Sequence, residues 1–127
     1  MIFLETSFII NLYVPKIRFH ERAKEIEKEI ENREKIISPM IIYETLTVLR
    51  KLNQTDKLVR KVYKILLNLN VFEDELYYPE ALKDCLNNNK IGFFDNLSHI
   101  VMMNSDIKEI ASFDEDFDIF NDIERIC

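Results

Sequence analysis

Ile110-Ala111-Ser112-Phe113-Asp114-Glu115-Asp116-Phe117 decides how this chain is read. The spacing predicts a short buried strand over 109–113. That strand runs out into two carboxylates, Asp114 and Asp116, clasped between Phe113 and Phe117. The N-terminus carries a matching signal. Met1-Ile2-Phe3-Leu4 is an apolar run of strand length that ends at Glu5, followed by Thr6-Ser7. Two short apolar strands that each end in an acid predict one sheet edge where ligands gather, because open α/β sheets bind at the carboxyl ends of their strands.

The segments between these two strands supply the rest of an α/β pattern. Thr6 or Ser7 is placed to cap a short helix over Phe8–Tyr13, stopped by Pro15. Residues 17–32 form an amphipathic pattern with Ala23, Ile26 and Ile30 on one face and a solvated face of Glu and Lys. Lys35-Ile36-Ile37 reads as a strand. Ser38-Pro39 then starts a helix, with Ser at the cap and Pro at the first position. On that helix Met40, Glu44 and Val48 are spaced by four, which sets Glu44 on an apolar stripe. A carboxylate there is costly unless something pairs with it, and Lys51 is one candidate partner.

Further along, a helix over 56–68 presents Leu58, Val59, Val62, Ile65, Leu66 and Leu69 as its apolar stripe. Asn70-Val71-Phe72 is strand-like. A helix over 78–88 turns Ala81, Cys85 and Leu86 inward, and Asn87 to Gly92 form a polar loop. Phe94 opens an apolar helix through Met103 with Asp95 in its first turn, and Ile123–Ile126 forms a last edge strand. Strands alternate with helices throughout, so the expected fold is α/β: a central, mostly parallel sheet flanked by helices in three layers.

The bulk properties fit that reading. At 127 residues the chain is expected to be one domain, burying roughly two-thirds of its unfolded surface. With 47% hydrophobic and 31% charged residues it is neither disordered nor membrane-spanning. A single Gly and three Pro argue against a turn-rich β-sandwich. No signal peptide is expected, since Glu5 interrupts the first apolar run. Cys85 and Cys127 have no CxxC spacing, so reduced thiols and a cytoplasmic location are expected. A net charge of −6 does not by itself point to nucleic acid.

In a doubly wound sheet, strand C-termini and the first turns of the following helices share one rim. Glu5, Glu44, Asp95, Asp114 and Asp116 are therefore expected to converge there. Two carboxylates about 4 Å apart repel by about 4 kcal/mol at an effective dielectric of 20. The remedies are shared protons or a hard divalent cation. With no Lys or Arg interleaved in these motifs, the cation is favoured. All-oxygen ligands point to Mg²⁺ or Mn²⁺ over zinc, and His20 and His99 stand isolated. A metal held by carboxylates suits phosphodiester chemistry. The charge objection is met if RNA is steered by a separate basic surface, either Lys16, Arg18 and Arg22 or Lys57 to Lys64 with Arg50 and Lys51.

Four stretches, in order, resemble the successive motifs of PIN domains, above all the VapC-type toxin ribonucleases. They are Ile2–Ile10, Ser38-Pro39-Met40-Ile41-Ile42-Tyr43-Glu44, Phe94-Asp95-Asn96-Leu97 and Ser112–Phe117. The resemblance covers nearly the whole chain. It implies a Mg²⁺- or Mn²⁺-dependent endoribonuclease, the toxin of a type II toxin–antitoxin pair, with a small cognate antitoxin and frequent homodimerisation. It carries the family's acids onto Glu5, Glu44, Asp95 and Asp114, with Asp116 as an accessory and Thr6 or Ser7 as the pocket hydroxyl. One position departs from the family, whose first acid is usually aspartate; Glu5 extends the carboxylate by roughly 1.5 Å. A second reading follows: an attenuated PIN-like module that binds RNA or a protein without efficient cleavage. A phospho-acceptor receiver domain is disfavoured, because no strand-end acceptor aspartate and late lysine pair is present.

Overall fold

The computed structural model describes residues 1–127. Five strands form one parallel sheet in the order β3-β2-β1-β4-β5. They are β1 (Ile2–Leu4), β2 (Lys35–Ile37), β3 (Asn70–Val71), β4 (Glu109–Ala111) and β5 (Glu124–Ile126). Each is only two or three residues long; β1 is apolar throughout, and β2 and β4 are apolar after their first residues, Lys35 and Glu109, because both their faces are covered. Ile2, Phe3, Ile36, Ile37, Ile110 and Ala111 are completely buried.

Six helices connect the strands: α1 (Thr6–Tyr13), α2 (His20–Glu29), α3 (Pro39–Lys51), α4 (Asp56–Leu67), α5 (Tyr78–Asn87) and α6 (Phe93–Asn104). They pack as two groups. α1 lies against α2 and α3, and α3 against α4, while α5 lies against α6. The chain thus has the three-layer α/β architecture expected of it. No helix is long and apolar enough to cross a membrane.

Several local details differ from the sequence reading. α1 is capped by Glu5, whose side chain accepts from the Ser7 N–H, and not by Thr6 or Ser7. α2 starts only at His20, because residues 14–19 turn and Lys16 takes a left-handed φ of 69°. Ser38 occupies the cap position of α3, but its hydroxyl makes no capping bond. Asp74, fully buried, does the work instead: its Oδ2 accepts from the Met40 N–H at 2.9 Å and its Oδ1 from the Tyr78 hydroxyl at 2.8 Å. Leu86 is 74% exposed, so the inward face of α5 is narrower than its pattern suggests. With a single glycine, the left-handed residues after α3 and α6 are Asn53 (φ 57°) and Asp106 (φ 55°), side chains that tolerate that region.

The strand order reverses between β1 and β4, which start connections running to opposite sides of the sheet. A crevice opens outside the strand ends at such a switch point. The register pairs Leu4 with Ala111, so Glu5 and Ser112 emerge side by side at that crevice.

Candidate active site

Glu5 is the centre of the site and its most buried acid, only 5% exposed. A single oxygen, Oε2, takes three donors: the Ser7 N–H at 3.0 Å, the Ser7 hydroxyl, and the Ser112 hydroxyl at 2.7 Å. Each hydroxyl has one proton and spends it on Glu5. Their lone pairs then accept from the loop that follows β4: the Phe113 N–H donates to Ser7 Oγ at 2.8 Å and the Asp114 N–H to Ser112 Oγ at 3.0 Å. The first strand's acid and the fourth strand's acidic turn are fastened together by two serines. Ser112, fully buried, was not singled out from the sequence. The available signal was a small hydroxyl residue at the strand end immediately before Phe113-Asp114.

Asp114 caps the 3₁₀ turn at Glu115–Ile119, its Oδ1 accepting from the Asp116 N–H at 2.9 Å. Arg125 braces the same turn, donating to both carboxylate oxygens of Asp118 and to the Ser112 carbonyl. Asp95 sits in the first turn of α6. The start of that helix is pinned by buried Asn96, whose amide donates to the carbonyls of Ile91 and Gly92. Asn96 too carried no signal beyond its place in the motif.

These elements bring one carboxylate oxygen from each of Glu5, Asp95 and Asp114 within 4.8 Å of the other two. Glu44 joins through a hydroxyl. Thr6 donates to Glu44 Oε1, and Thr45 stands behind Thr6 at 3.4 Å. Its helical stripe differs from the one first read. Ile41, Ile42, Thr45 and Leu49 face the core, while Met40, Glu44 and Val48 are half-exposed. Asp116 stands outside the trio with an exposed side chain, and only its backbone touches Asp114. Thr6 and Ser7 both face acids, Thr6 reaching Glu44 and Ser7 reaching Glu5. His20 and His99 lie elsewhere, bonded to the Asn11 carbonyl and to Asp122.

None of Glu5, Glu44, Asp95 or Asp114 belongs to an ion pair. Their electrostatics reflect that. Burial pushes Glu5 up to about 7, outweighing the three hydrogen bonds that favour its ionised form. Burial also raises Asp95 to about 7, with repulsion from Asp114, Glu5, Glu44 and Asp116 adding to it. Glu44 is raised as well, by burial first and by Asp114 after it, against the opposing Thr6 bond. The three converging carboxylates offer what a hard cation takes: oxygen donors, excess negative charge and no internal counter-charge.

Comparison with known proteins agrees with this geometry. No curated protein sequence matches the chain. Among solved structures, the crystal structure of Mycobacterium tuberculosis VapC20, a Sarcin-Ricin loop cleaving toxin, matches with a TM-score of 0.86. The match covers 98% of each chain at 22% sequence identity, a likeness of fold. A family model for the PIN domain matches residues 2–123. With the strand order and the converging strand-end acids, that match across nearly its full length makes the chain a member of the PIN domain family.

Proposed function

We propose that this PIN domain is a divalent-metal-dependent endoribonuclease, acting as the toxin of a type II toxin–antitoxin pair. The observation that carries the proposal is the convergence of Glu5, Asp95 and Asp114 within 4.8 Å with no cation of the protein's own among them. The donor set fits Mg²⁺ or Mn²⁺, with Glu5, Asp95 and Asp114 as ligands, Glu44 beside them, and Asp116 contributing field from outside. When bound, such a cation lowers the pKa of a water and offsets the charge that develops on a phosphodiester. The chain's own residues do the rest. The two serines and the Thr6–Glu44 bond fix the carboxylates before substrate arrives, so little reorganisation is left for the reaction. Glu44, raised and half-buried, is placed to hold or release a proton at the edge of the cluster. A small antitoxin partner, a homodimer and a cytoplasmic setting belong to the same proposal, and rest on the resemblance to VapC-type toxins.

The expected result is cleavage of single-stranded RNA that requires Mn²⁺ or Mg²⁺ and stops with EDTA. Cleavage that persists in EDTA overturns the proposal. Glu5→Asp provides a sharper comparison. The pocket is built around the longer side chain, since Glu5 Oε2 reaches both Ser7 and Ser112. Shortening it withdraws the carboxylate by roughly 1.5 Å, and cleavage is expected to fall by roughly a hundredfold. A rise in cleavage would instead identify the present chain as an attenuated module.

A further inference from the structure

Beside the acid cluster, α3 and the first turn of α6 enclose a second hollow of about 310 Å³. Its lining includes half-buried Met40 and Val48, exposed Tyr43 and Phe94, and the charged residues Glu44 and Lys51. Tyr43 is 54% and Phe94 39% exposed, unusual for large rings beside a cluster of acids. Neither ring is in a stacked pair. Phe94 meets Phe93 at 71° and Tyr43 meets Tyr63 at 43°. The aromatic hollow on the other side of the acidic turn is different, because there Phe113 and Phe19 already stack on each other at 4.6 Å. Lys51 enters no ion pair, whereas Arg22 and Arg50 of the basic stretches are held by Glu25, Glu29 and Asp56.

We propose that this hollow binds one unpaired RNA base of the nucleotide next to the phosphodiester at the acid cluster, stacked against Tyr43 and Phe94, with Lys51 meeting the backbone phosphate. The proposal rests on the nuclease reading above and names the subsite that orients its substrate. Continuity carries it. Glu44 lines the hollow and is tied to the cluster through Thr6, and Phe94 directly precedes Asp95. The volume lies at the low end of small-ligand pockets, roughly 300–1,000 Å³, which suits a single base. Stacking of splayed-out bases on aromatic rings is the usual way single-stranded RNA is gripped. Met40 and Val48 pack against the core on one side and leave their remaining apolar surface to line this hollow. A duplex keeps its bases inside the stack, so the hollow selects loops and single strands.

The test is binding of an oligoribonucleotide carrying 2-aminopurine, followed by fluorescence in EDTA, with wild-type protein, Tyr43→Ala, Phe94→Ala, Tyr43→Phe and Phe94→Tyr. Quenching on binding is expected for the wild type. Each alanine variant is expected to lose it and to bind about tenfold more weakly, while the aromatic replacements keep it. Unchanged affinity and quenching in both alanine variants overturns the proposal. So does a change in sedimentation of those variants with RNA binding intact, which assigns the rings to a protein contact. Ring-dependent quenching in a chain that never cleaves RNA supports the hollow and removes the nuclease reading. Metal-dependent cleavage indifferent to both rings removes the hollow and leaves the nuclease standing.

Discussion

Replacing Asp95 by Asn is expected to lower RNA cleavage by roughly a hundred- to a thousandfold, the usual effect of deleting one preorganised electrostatic group from an active site. The substitution is nearly isosteric and sits on an exposed-to-buried boundary, so packing changes little. What it removes is a charge. Asp95 faces Asp114, Glu5, Glu44 and Asp116 at once, and each of them raises its proton affinity. Burial adds to that effect and is its larger cause, and the strained placement of this carboxylate is what motivates the proposed assignment. The assay is single-turnover cleavage of labelled RNA in Mn²⁺, with the far-ultraviolet spectrum and melting temperature of the variant recorded alongside. A variant that folds normally and cuts within a factor of three of the wild type contradicts the assignment.

The second large effect is on stability, and its sign is opposite to that of ordinary surface carboxylates. In the folded chain Glu5 is raised from 4.5 to about 7, so the folded state holds that proton longer than the unfolded state does. Stability is then fully present below about pH 4.5 and is lost as pH climbs through about 7. For a group this buried the shift corresponds to on the order of 3 kcal/mol. Asp95, raised to about 7 from 3.8, acts in the same direction. In EDTA the melting temperature is expected to fall by roughly 10 °C between pH 5 and pH 8. Mn²⁺ should restore much of that loss at pH 8, because a cation that binds only the folded chain stabilises it by mass action. Asp95→Asn should melt higher than the wild type in EDTA at pH 8 while losing activity. A melting temperature that stays flat or rises across this range would show that the acids ionise without cost.

The residues that made the fold legible are those whose signals are local. Short apolar runs ending in Glu5 and Asp114 marked the strand ends, and the stripes of Ala23, Ile26 and Ile30 or of Val62 and Leu66 marked buried helix faces. Alternation of strand and helix then left few topologies for a parallel sheet. The signals that failed are those requiring a partner distant in sequence. Asp74 caps a helix that begins 35 residues before it, so Ser38, which has the right chemistry in the right place, misled. Ser112 matters because the register sets it beside Glu5, 107 residues away. Leu86 fits a helical stripe, but no neighbour covers that part of α5. Asp116 shares its motif with Asp114, yet the 3₁₀ turn leaves its carboxylate exposed. The substitution of Glu for Asp at position 5 gained its explanation only from the serines that hold the longer side chain.

Calorimetric titration of Mn²⁺ into the wild-type chain and into Asp95→Asn and Asp114→Asn at pH 7.5 or so, above the raised carboxylates, needs no substrate and no knowledge of the RNA target. One saturable site in the wild type, weakened by at least an order of magnitude in both variants, is the result expected of acids that meet around a cation. Equal uptake by all three proteins, or none by the wild type, would contradict it.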